Sequence, residues 1–422
     1  MKTILDIFSP RQWLIIASSF IILAVGTSLN FNFGIFIKPL VEEFDWSRTT
    51  VSAGFSVFML AGSFSAILTG GLADRYGTRR VVFFGTIMIA AAMFATSRIQ
   101  TAWEFYLAVG VLAGVGRSAF NTPILAFIQR SFTRNRGLAT GLAGSGGGLG
   151  IFLAAPLLGY LIASAGWRFS YLMMGIAVLV LALPALSFLR PAKDSDSEMR
   201  RNGAKIEQRE TNILPEASQG MAAIIRKRPF WAVMGSHATD CLCHSVILVH
   251  LVPFAIESGV PKIQAASLMS ALGMGALVGR TAGGMLSDRI GPKWALFISL
   301  TLQTIPIPLL LMSPSLPVLY LIATLVGLGL GGHGTMYPVI TREFYGPKRV
   351  GILFGTFTAG ASAGMASGSF LGGVFHDLAG NYIPAFVFSL TMGVISLILV
   401  WLYPKGRTMS RFSALSASKP LA

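Results

Sequence analysis

Apolar runs of about 20 residues recur along the whole chain, separated by short polar turns. Twelve stand out, at 13–37, 50–72, 81–98, 103–129, 137–164, 168–189, 230–256, 264–286, 293–312, 316–341, 350–375 and 382–403. Runs of that length predict helices, which satisfy their own backbone hydrogen bonds where no water is present; the short alternating strands of a barrel would look different. The first run follows a short charged N-terminus with no small-residue cleavage site after it, so it reads as a retained helix rather than a removable signal. One long polar stretch, 190–228, splits the runs six and six. The pattern predicts an all-α membrane protein: a six-helix bundle over 1–189, a cytoplasmic central loop over 190–228, a second bundle over 229–404 and a cytoplasmic tail over 405–422.

Composition agrees, since 53% of the 422 residues are hydrophobic and only 12% charged, with a mean hydropathy of +0.68. A net charge of +16 would suit a nucleic-acid binder, but its distribution points elsewhere. With the N-terminus in the cytoplasm, 26 of the 33 Lys and Arg fall in cytoplasmic segments, and five fall outside: Lys38, Arg48, Arg98, Arg168 and Lys262. That bias is the positive-inside rule, so the basic charge reports topology. Cys241 and Cys243, two apart on one helix, point to different sides, which predicts neither a disulfide nor a metal site. No Asn-x-Ser/Thr sequon occurs, and a bacterial inner membrane fits these absences.

The halves repeat each other. "GGLADRYGTRR" (70–80) echoes "GGMLSDRIGPK" (283–293), and "AGVGRSAFNTP" within 113–150 echoes "LGLGGHGTMYP" within 328–364. Such a duplicated plan predicts a binding site at the midplane and halves that rock around it. Asp74, Arg75, Asp288 and Arg289, at helix ends in the repeated turns, are expected to gate or brace the helices through charge pairs. The glycine run "GSGGGLG" (144–150) lies inside an apolar span with no Gly-Lys-Ser/Thr ending, so it predicts close helix packing rather than a nucleotide loop.

These duplicated turns resemble the major facilitator superfamily over essentially the whole chain. The resemblance implies twelve transmembrane helices in two pseudo-symmetric six-helix bundles. Within the superfamily, "NFGIFIKPLVEEFDWSRTTVSAGFS", "RSFTRNRGLATGLAGSGGGLG" and "HLVPFAIESGVPKIQAAS" resemble the monocarboxylate transporters and their oxalate/formate exchanger relatives.

Charges inside spans carry the candidate chemistry, because a lone ion in lipid costs at least about 2.5 kcal/mol. Arg280, in "GMGALVGRTAGGML", has no counterpart in the first half, where the repeat places Ala66. Gly273, Ala276, Gly283, Gly284 and Ser287 share its face, which predicts room for a cavity. A planar guanidinium holds a carboxylate through two parallel hydrogen bonds, so a substrate anion is the expected counter-charge; the alternative is a salt bridge to Asp240. The resemblance also implies that an Arg at this place binds substrate carboxylate. Animal monocarboxylate transporters carry an Asp one turn earlier, where this chain has Ala276, so their relay does not transfer unchanged.

Asp240 lies about 15 Å into its span, with His237 and His244 at i−3 and i+4 and His250 further along. This is a polar track suited to protons, or else a set of interhelical hydrogen bonds. Lys38, closing the first span, is either a snorkelling lysine or, by the resemblance, part of proton and substrate entry. Arg117, one turn before Asn121, is either a second anion ligand or a helix-bracing cation. Phe120, Asn121, His333 and Tyr337 are candidates to line the cavity or to pack between helices.

The expectation is a proton-coupled plasma-membrane transporter of small monocarboxylates such as lactate or pyruvate. It takes no cofactor and no metal, draws on the proton gradient, binds only a small organic anion, H⁺ and lipid, and works as a monomer. The first rival is an exchanger of dicarboxylates or formate using Arg117 with Arg280. A drug exporter is disfavoured by Arg280, and a metabolite sensor by the want of an output domain. No hydrolytic triad or phosphate loop suggests an enzyme.

Overall fold

The computed structural model describes residues 7–404 apart from 32, 47, 133, 190–219, 313–314 and 348. The side chains of a few others, Lys38 among them, lie outside the described residues. The described residues form helices and no strand. In chain order these are α1 (Pro10–Phe31), a short α2 (Ile37–Phe44), α3 (Arg48–Tyr76), α4 (Thr78–Thr96) and α5 (Ala102–Ser131). Then come α6 (Arg136–Ala185), α7 (Met221–Ile225), α8 (Arg228–Glu257), α9 (Lys262–Ile290), α10 (Pro292–Thr304), α11 (Ile307–Leu310), α12 (Leu316–Tyr345), α13 (Val350–Ala379) and α14 (Ile383–Trp401). Helix α6 holds two spans joined at Gly166, whose φ of 82° breaks the helical path. Within α5, Tyr106–Ala113 is wound as a π-helix.

Counting both arms of α6, eleven segments among the described residues are long and apolar enough to cross a membrane. The twelfth is α9, long enough at 29 residues but short of the others in apolarity, because it carries Arg280 and a row of glycines. The spans read from the sequence therefore all have a helix. Two boundaries differ most, and at one of them the ninth run breaks after Thr304, leaving Ile307–Leu310 as a separate helix. The first span ends at Phe31, and Lys38 sits instead in the separate helix α2. Exposed faces are apolar, as with Phe64 and Leu68 one turn apart on α3, which suits lipid rather than water.

The described chain gathers into two compact units. One contains α1 to α5, most of α6 and the start of α13, within 1–131, 142–204 and 349–362; the other contains the first turns of α6, α7 to α12, the rest of α13 and α14. The units thus cross the expected cut at the central loop at two places, 132–141 and 349–362. The repeated turns account for both. Asp288 accepts backbone hydrogen bonds from Gly137 (2.8 Å) and Leu138 (2.7 Å), the first turn of α6. Asp74 accepts from Gly351 (3.2 Å) and Ile352 (3.0 Å), the first turn of α13. Asp288 follows Asp74 by 214 residues, and so does each capped pair its counterpart. Each carboxylate satisfies orphan N–H groups and faces the positive end of a helix dipole. Each cap depends on a sharp turn after its helix, made by Gly77 (φ 90°) and Gly291 (φ 89°).

Glycines set the closest helix approaches. Gly146 and Gly150, from the "GSGGGLG" run, lie against the backbone carbonyls of Phe20 and Ala24 on α1. A Cβ at either would meet those oxygens. This is the close packing the run predicts.

Candidate functional site

Asp240 is the deepest acid of the second unit, 2% exposed. Its helix, α8, places His237 and His244 on the same face, and α12 adds His333 from 93 residues away. His333 Nε2 lies 3.3 Å from Asp240 Oδ2, and His244 Nδ1 lies 3.8 Å from Oδ1, too far for a hydrogen bond. Gln303 of α10 donates from Nε2 to Asp240 Oδ1 at 3.1 Å and approaches His333 Nδ1 at 3.4 Å. Tyr337, fully buried, stacks on His237 with ring centroids 3.6 Å apart. The partner of Asp240 is therefore a histidine, and the structure shows no Asp240–Arg280 bridge among the described contacts. His250 leaves the track: its Nε2 bonds the Ser369 carbonyl (3.0 Å) and its ring lies by Tyr382. The Cys241 thiol joins the group, its Sγ within 4.8 Å of ligand atoms on Asp240, His244 and His333. Cys241 and Cys243 are both free, with no disulfide between them, as their helical spacing predicts.

Arg280 lies half-buried on α9, close enough to His333 for the two charges to interact. Among the described residues, most of the small residues on its face lie against backbone rather than opening space. Ala276 is 7% exposed and its carbonyl faces Gly331 of α12. A Cβ on Gly283 would come 2.8 Å from the Gly332 Cα, and Gly284 abuts the Gly137 carbonyl. Only Gly273 has open space beside it. The reason is physical: helices in lipid gain little from burying apolar surface against each other, so small residues serve backbone contact instead.

Arg117, in the first unit, lies with its guanidinium carbon 5.5 Å from the Phe58 ring centroid. Among the described residues it makes no ion pair and no hydrogen bond. It lines a small cavity with Leu23, Gly26, Thr27, Phe120 and Asn121. Asn121 is exposed there, whereas Phe120 is 1% exposed and packs on Gly26. The role assigned to Lys38 falls on a side chain outside the described residues.

In the repeated turns, the carboxylate partners differ from those expected. Asp74 pairs with Arg130, which also donates to Thr78 Oγ1 at 3.0 Å, while Arg75 lies over the Tyr76 ring. Arg289 is exposed, and Asp288 bonds the backbone of Gly137 and Leu138 with the charge of Arg136 also acting on it. Sequence reasoning missed Gln303 and Arg130. The signals were an amide within an apolar span and a basic residue closing α5 beside the acid of the repeated turn.

The chain is 29% identical over 381 residues to monocarboxylate transporter 13 of Bos taurus, covering 89% of this chain and 85% of that one. It is 25% identical over 405 residues to monocarboxylate transporter 2 of Mesocricetus auratus, covering 92% and 83%. These relatives are mammalian and lend the bacterial expectation no support. Among solved structures, the proton:xylose symporter XylE with bound 6-bromo-6-deoxy-D-glucose matches with a TM-score of 0.73 at 12% identity, over 94% of this chain and 96% of that one. The transporter FucP in its outward conformation matches with a TM-score of 0.70 at 17% identity, over 93% and 98%. The sequence also matches the Major Facilitator Superfamily over residues 13–282 and 233–421. The chain belongs to that superfamily, whose members here are membrane transporters and not enzymes.

Proposed function

We propose that the protein is a proton-coupled symporter of small monocarboxylates, of lactate or pyruvate size, working by alternating access across the plasma membrane with both termini cytoplasmic. The carboxylate is held by Arg280, and the proton by the Asp240 group with His237, His244 and His333; Lys38 is the candidate for proton entry. The observation that carries this reading is the buried Asp240–His333 contact at 3.3 Å in the same unit as Arg280. A membrane-buried acid set among imidazoles is where a titratable site is expected. Its relatives' names supply the substrate class. Moving H⁺ with a monoanion transfers no net charge, so the membrane potential does not oppose it. The family resemblance implies an acid at the position Ala276 occupies, and in this reading Asp240 takes over that part.

The test is uptake of radiolabelled lactate into proteoliposomes with and without an inward proton gradient. A gradient-driven overshoot is expected, lost in Arg280→Ala and in Arg280→Lys, since lysine cannot reproduce the two parallel hydrogen bonds. Uptake at normal rates in Arg280→Ala sinks the assignment. The state of Arg117 favours one alternative, an exchanger in which Arg117 and Asn121 add a second anion contact. Uptake driven only by internal counter-substrate, and abolished in Arg117→Ala, would establish it.

A further inference from the structure

We propose that Asp240, Cys241, His244 and His333 form a binding site for a borderline-soft divalent cation of the Zn²⁺ class, tying α8 to α12. Each residue offers one ligand atom, and the four atoms lie within 4.8 Å of one another. The set is one carboxylate oxygen, one thiol sulfur and two imidazole nitrogens. Tetrahedral zinc takes such a mixture, whereas Mg²⁺ and Ca²⁺ want oxygens. Zinc bonds of about 2.0–2.1 Å place oxygen and nitrogen ligands roughly 3.4 Å apart around a tetrahedron. The His333 Nε2–Asp240 Oδ2 separation of 3.3 Å already meets that spacing, and the remaining pairs, all within 4.8 Å, close to it by side-chain rotation.

Two further observations point at a ligand. Asp240 Oδ2 and His244 Nδ1 have no hydrogen-bond partner although both side chains are more than nine-tenths buried. Buried polar atoms left this way are uncommon, and a cation between them would satisfy both. The surroundings are also those of a supported metal site. Gln303 holds Oδ1 of Asp240 at 3.1 Å, leaving Oδ2 to face His333, and approaches Nδ1 of His333 at 3.4 Å. Outer contacts of this kind fix the ring orientation of metal-bound histidines. Charge balance fits too. A divalent cation with one carboxylate and one thiolate is neutral, the form a membrane interior tolerates; the thiol proton leaves to water as the metal–sulfur bond forms.

The site shares side chains with the transport reading but does not rest on it, because binding is read on the purified protein whatever it carries. Titrating Co²⁺ into the full chain in detergent should give the intense visible bands of tetrahedral cobalt and a near-ultraviolet thiolate band. Both should saturate at one ion per chain and vanish on adding Zn²⁺. Cys241→Ser should remove the thiolate band, and His333→Ala should weaken binding at least tenfold. Cys243→Ser, a thiol turned instead toward Ser389 (3.6 Å), should change nothing. Unaltered elution and melting of each variant show that it still folds. No tetrahedral spectrum, or a spectrum surviving both Cys241→Ser and His333→Ala, overturns the proposal. Loss of the signal in His376→Ala would also overturn it, by moving the metal to the exposed His376–Glu257 pair.

Discussion

The first turn of α6 is held by one side chain, and its removal should be measurable. Asp288 accepts the N–H groups of Gly137 at 2.8 Å and Leu138 at 2.7 Å. Hydrogen bonds to a charged acceptor contribute about 1.5–3 kcal/mol each. A carboxylate facing a helix N-terminus adds roughly 0.3–1 kcal/mol. Asp288 is half-buried, so water reaches the freed N–H groups and recovers part of the loss. Asp288→Ala should therefore destabilise by about 2–4 kcal/mol, below the simple sum of these terms. In thermal unfolding of the purified 422-residue chain this is a drop on the order of 2–5 °C. Asp288→Asn, which keeps one acceptor oxygen but no charge, should lose about half as much. Asp74→Ala should lose more than Asp288→Ala, because Arg130 is then left without its carboxylate. Melting of Asp288→Ala within about 1 °C of the parent, against the shift per kcal/mol expected here, would refute the capping role.

Three further outcomes are expected. Gly331→Ala puts a methyl against the Ala276 carbonyl and within 2.8 Å of the Arg280 nitrogen, so α9 and α12 must part. Expression of folded protein should fall well below that of Gly334→Ala, whose added methyl meets nothing within 4 Å. Asp240→Asn keeps the shape of the buried group without its charge. Uptake driven by a proton gradient should disappear, and uptake that keeps its pH dependence would exclude Asp240 as the proton site. Burial pushes the Glu43 carboxyl up, but hydrogen bonds from Trp167 and Arg168, and the charge of Arg168, outweigh it and hold it below its ordinary range. A lowered folded value means stability present above the unfolded value, near about 4.3, and lost as pH falls through the folded one. Since Glu43 is 42% exposed, Glu43→Gln should cost under about 1 kcal/mol at pH 7. The gap in melting between parent and variant should close as pH falls through the folded value, and a gap that stays constant with pH would count against the carboxylate.

Local order was readable and tertiary choice was not. The helices follow from run length, because the lipid leaves a spanning chain few alternatives. The i−3, i+4 grouping of His237, Asp240 and His244 needed only the helical period. What pairs with Asp240 is a residue 93 positions later, and nothing local distinguishes His333 from Arg280 as its partner. The repeated acids were legible as a motif, but their partners lie in backbone 151 and 277 residues away. Small residues around Arg280 admit either a cavity or close contact, and the sequence does not say which; the carbonyls of α12 decide it. Lys38 went astray for a simpler reason, since the apolar run continues past the point where the helix itself stops.

The limited apolarity of α9 bears on how the protein is assembled. A segment carrying an arginine and many glycines gains less from lipid than any other span of this chain, so hydrocarbon alone holds it weakly. Gly275 and Gly279 rest on the backbone of α12, which is made later. During synthesis α9 thus precedes the element that secures it, and its final depth is fixed only when α12 arrives. Arg280 takes its position in the membrane only then, as part of a finished pair of helices.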